Sequence, residues 1–511
     1  MTLSHCWGTH AVAQLLPKTT HDNIYYRQQG IAWHSLPQLF RDVITLVRAL
    51  ECRYLWIDSL CIIQDDQEDW MAESAKMSEI YHNATLNIAA TAMRNASVGL
   101  FQKRIHGEGF RNFKSFAGEQ VLESPCGDTV EIASGDQTVY SRISHDRSHE
   151  VLWGDTVYFR TKAEPLLNRA WVFQERLLSR RTLHFAASEL LWECRTGCFC
   201  ECTRIGHAHS LSLRNLNSNT ADQESDGASL QSLYRFGGLK KVVFFDVCSG
   251  QSDPQLALDF WLRIVEEYSF LFLSRESDRA IALAGIAKRI QKLAGPTYLA
   301  GLWAVDLPRA LLWAPYPNKK VVRAAPGIPS WSWISRNCEP YNEATTCSIR
   351  YKHVTEYPFS PDPRLKIHEE GTFCIYEQGN PLGTPISGQL CMSAASCWGT
   401  VQVVPGKKSE RRNRRSDLQV SLEPASNGVP LAIPFLADHA GKYPESLRLT
   451  ERVLCILIGS RESPGDSSPQ FLLVLAPVPD REGFFERIGF SESPGNIFPA
   501  TTAAVRTVTI I

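Results

Sequence analysis

No charge of either sign dominates this sequence: 53 Lys and Arg stand against 54 Asp and Glu in 511 residues, a formal net charge of −1. Without a summed field there is nothing to hold a polyanion, which argues against general nucleic-acid or anionic-membrane binding. Long apolar runs are missing too, so no membrane span is expected. Met1 to His10 has neither the basic start nor the apolar stretch of a secretion signal. The expected location is cytoplasmic. There is no even set of cysteines: 15 is an odd number in a long chain expected to stay inside the cell, so a disulfide framework is not expected and most thiols should be reduced core groups. Low-complexity excess is absent, and a composition 44% hydrophobic and 21% charged excludes disorder throughout. The length corresponds to about three domains, or one large α/β domain with appendages. No internal repeat is present.

Familiar catalytic signatures are missing as well. There is no phosphate-cradling Gly-rich loop ending in Lys-Ser/Thr, no nucleophile elbow around a serine, no zinc-protease helix and no kinase set, which disfavours an ordinary NTPase or hydrolase.

What is present in the first third is an alternation of strands and helices. Leu36, Leu39, Phe40, Val43, Leu46, Val47 and Leu50 recur at helical spacing, with Ser35 as N-cap and Pro37 in the first turn. Tyr54 to Asp58 follows as a short apolar run ending in a carboxylate, the pattern of a central strand. Asp65 and Asp66 can cap a second helix that carries Trp70, Met77, Ile80 and Tyr81, and Thr85 to Ala92 reads as a further strand. Such alternation implies a parallel sheet with helical crossovers. Asn168 to Leu178 is helical in pattern, and Arg181 to Phe185 and Leu190 to Cys194 are strand-like. Residues 95–165 read as an insertion with short strands, and 203–240 as a linker or mobile loop. Two helices, Leu258 to Phe272 and Asp278 to Ile290, belong to a helical connector and Trp-rich segment over 241–335. A β-rich region, with runs at Val453 to Ile458 and Gln470 to Leu475, fills 336–511. The basic run Lys407 to Arg415 reads as a solvated loop rather than an import signal.

In an open parallel sheet, ligands meet the carboxyl ends of strands. The residues expected there are Ser4, His5, Cys6, Trp7 and Gly8, then Asp58 with Cys61, Gln64 and Asp65, and then Ala90 and Thr91. Gly8 can give backbone room to a ligand or a neighbouring strand. Position alone favours a plainer reading, in which Asp58 caps the following turn and His5 packs on Trp7. Trp171, Gln174 and Glu175 put a carboxylate within one helical turn of a large ring, although pairing with Arg176 or Arg169 is the commoner fate of a helix Glu. Cys194, Cys198, Cys200 and Cys202 with His207 and His209 have enough soft ligands for zinc but not the usual knuckle spacing, so no metal site is assigned. His145 and His149 lack a third ligand.

Three blocks carry a resemblance: Leu3-Ser-His-Cys-Trp-Gly8, Tyr54-Leu-Trp-Ile-Asp-Ser-Leu-Cys-Ile-Ile-Gln-Asp-Asp66 running into Met77 to Ala84, and Arg169-Ala-Trp-Val-Phe-Gln-Glu-Arg-Leu-Leu-Ser179. Together, in this order, they resemble the fungal heterokaryon incompatibility (HET) domain, over about residues 1–202. The pattern at Tyr268 to Ile286, Gly301 to Trp303 and Pro329 to Trp333 also looks like that of many HET-domain proteins.

The resemblance implies non-self recognition and programmed cell death on heterokaryon incompatibility, and a TIR-like (flavodoxin-like) parallel sheet flanked by helices. Its partners would be a second copy or another incompatibility protein. By the TIR likeness NAD is a candidate substrate, with Glu175, or Asp58, as the carboxylate that stabilises an oxocarbenium-like transition state and with Trp171 stacking a ring. The weightier alternative is action by self-assembly or recruitment, and a third is a degenerate, inactive paralogue. Family members carry residues before the first block that build the rest of its strand. A block opening at Leu3 therefore leads to the expectation of a shortened gene model or an impaired copy.

Overall fold

The computed structural model describes residues 1–102, 164–187, 189–201 and 240–511, with interruptions at 251, 317–320, 324–326, 339–345, 352–357, 404–417, 424–430, 435, 439–451, 462–467 and 494–502. The backbone alone is described for Gln120–Glu123, Val130–Ser134, Gln137–Ser141 and Gly206–Ala208. Most of the expected insertion and linker, the His145 and His149 pair, Cys202, His209 and Lys407 to Arg415 lie outside the described residues. The chain forms two compact units, Met1–Asp246 and Val247–Ile511.

The first unit opens with strand β1 (Thr2–Ser4), short helices α1 (His10–Gln14) and α2 (Ile24–Gln29), and the amphipathic α3 (Gln38–Ala49). Ser35 is not the cap of α3: it closes a 3-10 turn, Trp33–Ser35, with its hydroxyl on the Ala32 carbonyl at 2.7 Å. The reason is Pro37, whose ring pushes Leu36 into an extended conformation (φ −81°, ψ 138°), so the helix starts only after the proline.

The expected central strand at Tyr54 to Asp58 is also corrected. Among the described residues only Trp56 of this run pairs, as a parallel bridge to Thr2 on the outer side of β1. Tyr54 is 77% exposed, and Asp58 already begins the next helix, α4 (Asp58–Cys61). The run is too short and too open to be an inner strand. Next come α5 (Gln67–Asn83), capped by Asp66 accepting from Glu68 N and Asp69 N, and β2 (Asn87–Ala89). Strands β3 to β5 (Gln120–Glu123, Val130–Ser134 and Gln137–Ser141) form a small antiparallel sheet of their own. They are followed by α6 (Ala170–Leu178), β6 (Arg181–Phe185), β7 (Leu190–Cys194), β8 (Gly197–Cys200), β9 (Gly206–Ala208) and α7 (Lys240–Cys248).

The main sheet has the order β1-β2-β6-β7-β8-β9. Its first three strands are parallel and the rest antiparallel. The expected parallel sheet therefore covers half of it. Residues 186–189 between β6 and β7 are enough for a hairpin but too few for a crossover, which needs a dozen or more.

Side chains alternate between faces, and the register sorts them cleanly. Leu3, Ile88, Leu183 and Trp192 are neighbours across four strands and pack with Leu39, Phe40, Val43 and Val47 of α3. Each such buried aliphatic or aromatic side chain stabilises by roughly 1.5–3 kcal/mol. On the opposite face run Thr2, Asn87, Thr182 and Glu193, and beside them Ser4, Ala89, His184 and Leu191. That face is polar yet buried.

The second unit begins with α8 (Pro254–Ser269), capped by Asp253, and α9 (Asp278–Ala294). It continues into a β-rich region built on a ten-stranded sheet. The expected runs at 453–458 and 470–475 lie in the antiparallel partners Arg452–Arg461 and Gln470–Pro477. Trp261, Trp303, Trp313, Trp331 and Trp333 are core residues. Arg487 is wholly buried, lies over the Trp313 ring at 3.5 Å and bonds Asp438 at 3.0 Å.

Candidate functional site

The carboxyl ends of β1 and β2 gather residues from all three sequence blocks. Ser4 closes β1, and its hydroxyl donates to Glu175 Oε2 at 2.5 Å, in the range of a charge-assisted bond, while Asn87 Nδ2 donates to Ser4 Oγ at 3.1 Å. Tyr81 on α5 donates its phenol to the Leu3 carbonyl at 3.3 Å. One residue beyond Ser4, the His5 ring is buried, edge-on to Phe40 with centroids 5.3 Å apart, and His5 Nδ1 lies 3.7 Å from Asp58 Oδ1. His5 therefore packs on Phe40 rather than on Trp7. Among the described residues neither of its ring nitrogens has a hydrogen-bond partner. Trp7 donates its indole N–H to Asp58 Oδ2 at 2.9 Å, and Lys18 sits 5.2 Å from the Trp7 ring centroid. Asp58 Oδ1 also accepts from Ser59 N at 2.7 Å, so the carboxylate caps its own turn and anchors Trp7 at once.

Gly8 has φ +93°, and a Cβ there would stand 2.9 Å from Val12 Cγ1 and 3.1 Å from Asn95 Cβ. A left-handed backbone turned against the chain's own side chains requires this glycine. Gln64 Nε2 donates to the carbonyls of Asp58 (3.1 Å) and Ile62 (3.2 Å), and Asp65 accepts from His21 N at 3.0 Å. Both shape the loop after Asp58. Trp171 is half-buried, edge-on to Trp70 at 6.2 Å, and Gln174 is buried beside it on α6.

The two carboxyl groups differ in access. The Asp58 side chain is 27% exposed, whereas Glu175 as a residue is only 7% exposed. Burial pushes the Glu175 carboxyl up to about 7. The Ser4 hydrogen bond opposes that rise, the Asp58 charge adds to it, and Arg169 and Tyr81 oppose it. The imidazole of His5 is pulled down by burial and by Arg169, with Asp58 acting against both. Arg169 Nη1 donates to the His5 carbonyl at 3.1 Å, tying the third block to the first. A carboxyl that takes and gives a proton near neutrality, beside a second and accessible carboxylate, can serve acid and base roles.

The expected pairing of Glu175 with Arg176 does not form. Arg176 turns instead to Glu193, donating from Nε at 2.8 Å and from Nη2 at 3.0 Å. Around Glu193 stand His184 Nε2 at 3.4 Å and Lys241 Nζ at 3.5 Å, and Lys241 donates to Thr182 Oγ1 at 2.8 Å. His184 Nδ1 faces Thr91 Oγ1 at 3.0 Å. Burial raises the Glu193 carboxyl, but the Arg176 and Lys241 charges outweigh it and hold it well below its usual range. Burial takes His184 down to about 4, against the pull of Glu193. The sequence reading missed this lattice. Its signal was polar residues (Thr2, Asn87, Thr182, His184, Glu193) spaced by two along covered strands.

In the cysteine cluster, Cys198 and Cys200 pack with Leu191, and Cys194 Sγ lies 3.3 Å from Thr196 Oγ1. Among the described residues no group of three or more His, Cys, Asp or Glu is arranged to hold a metal ion. Nor is any helix among them long and apolar enough to cross a membrane.

Fold and site together define an α/β unit whose polar groups converge at the carboxyl ends of its parallel strands, under α5 and α6. Residues 1–175 of the chain match the model of the family described as Heterokaryon incompatibility protein (HET). No curated protein and no solved structure matches it.

Proposed function

We propose that this chain acts in fungal non-self recognition, inducing or signalling programmed cell death on heterokaryon incompatibility, with the Asp58 and Glu175 carboxyl groups as the working site of the HET domain. The observation that carries this is the meeting of three distant segments of the family match: Ser4, Asp58 and Glu175 surround one strand end, although Ser4 and Glu175 are 171 positions apart. The domain extends over 1–202, acts in the cytoplasm, and keeps the TIR-like parallel core β1-β2-β6. It works through association with a second copy or another incompatibility protein.

A second reading, NAD glycohydrolysis, is favoured by the proton held at Glu175 next to Asp58. Nicotinamide leaves as a neutral group, so a single carboxylate near the ribose suffices for the oxocarbenium-like transition state. The more exposed Asp58 suits that contact, and Glu175 behind it exchanges a proton through Ser4.

Inducible expression of the full chain in a filamentous fungus, with viability and NAD content followed together, tests both readings. Death at constant NAD that Glu175→Gln and Asp58→Asn abolish supports association through this site, and death that persists in both variants overturns the site. Death with NAD loss, both abolished by these changes, supports the enzyme. Survival with the folded wild-type chain overturns the proposal and leaves a degenerate paralogue.

A further inference from the structure

We propose that Lys241 is a positioning residue for the Glu175 helix, acting through Glu193 and Arg176, so that α7 sets the geometry of the carboxyl site. The inference takes that site as the working centre, as proposed above, and concerns its regulation.

The contacts form an unbroken chain. Lys241 Nζ, with none of its side chain exposed, is held by Thr182 Oγ1 at 2.8 Å and faces Glu193 Oε2 at 3.5 Å. Glu193 grips Arg176 with two hydrogen bonds, and Arg176 is the residue after Glu175 on α6. Arg176 and Glu175 are neighbours on this nine-residue helix, so the two bonds to Glu193 and the Ser4 bond to Glu175 anchor the same turn of α6.

Packing alone does not call for a cation at position 241. Helix α7 already buries Val242, Val243, Phe244 and Val247, and an apolar residue at 241 would add to that core. Instead, Arg176 and Lys241 both face the Glu193 carboxylate, with His184 kept neutral. Such arrangements are costly and survive where they specify geometry. Helix α7 also crosses from the first unit into the second, between Asp246 and Val247.

The charged and titratable groups facing Glu175 are Asp58 on α4, Arg169 ahead of α6, Tyr81 on α5 and Cys6 after β1. None belongs to the lattice around Glu193, so a change at position 241 reaches the carboxyl through position rather than through direct charge.

The test is infrared difference spectroscopy of the full chain, with Glu175→Gln as reference to isolate the protonated-carboxyl band and its titration midpoint. In Lys241→Met the Ser4 bond, which favours the ionised carboxyl, loosens, and the midpoint is expected to rise by at least about half a pH unit. A folded Lys241→Met chain with an unchanged midpoint overturns the proposal, because a purely structural role would lower stability and leave the carboxyl alone. If that variant does not fold, Thr182→Val removes the hydroxyl that holds Lys241 without altering charge. A smaller rise is then expected, and an unchanged midpoint again overturns the proposal. The readout is the carboxyl itself, so failure of the cell-death or NAD readings would leave this result intact.

Discussion

Replacing Glu175 by Gln is expected to expose an opposition between two buried groups. Glu175 is pushed from its ordinary 4.5 to about 7, chiefly by burial. Between those values the folded chain keeps a proton that the unfolded chain has released, so this group makes stability fall as pH rises through the window. At about 1.4 kcal/mol per tenfold change in proton affinity, the loss above pH 7 is about 3 kcal/mol. His184 acts in the opposite sense. Its folded value is lowered from 6.5 to about 4, so the unfolded chain binds a proton that the fold refuses. Stability therefore falls on acidification through that window, again by about 3 kcal/mol. The two slopes oppose each other between pH 4.5 and 6.5, where the lowered His5 imidazole acts in the same sense as His184. Urea unfolding of the full chain, followed by circular dichroism from pH 4 to 8.5, reads the difference. Glu175→Gln should gain stability as pH rises from 4 to 6.5 and then level off, and its stability relative to the wild type should rise by about 3 kcal/mol between pH 4.5 and 8. A difference between the two chains that stays constant across pH 4.5 to 7 would refute the reasoning.

Glu193→Ala leaves Arg176 and Lys241 buried without their shared carboxylate and is expected to cost about 3–5 kcal/mol, measured as a shift in the urea midpoint. Gly8→Ala forces a side chain into φ +93° against Val12 and should cost about 1–3 kcal/mol by the same assay. Arg487→Met strips Asp438 of its nearest cation inside the second unit. A loss of about 3–5 kcal/mol is expected, visible as an earlier thermal transition.

Local signals made much of the first unit legible. The Asp66 cap, the periodicity of α3 and the aromatic run of α6 each depend on a few neighbouring residues, and each helix is present, with its start shifted by two residues in α3 and α6. Failures came where a neighbour or a partner decided the outcome. Pro37 moved the start of α3, and Tyr54 to Asp58 reads as an inner strand until its single pairing partner, Thr2, is known. In the site, Ser4 and Asp58 were expected at strand ends from the fold class, whereas Glu175 entered only through the resemblance. The Glu193 lattice was not anticipated, because it exists only through strand register: Thr182 must lie opposite Glu193, and Lys241 must descend onto both from a helix 59 positions away from Thr182.

The separation of the sheet into one apolar and one polar face has a further consequence. A slip of β2 by a single residue would turn Asn87 among Leu3 and Phe40 and swing Ile88 towards the Glu175 carboxyl, so the error would be punished on both sides together. A strand of only three residues thus finds its alignment from the cost of every wrong one, and the spacing of the site residues is inherited from that choice.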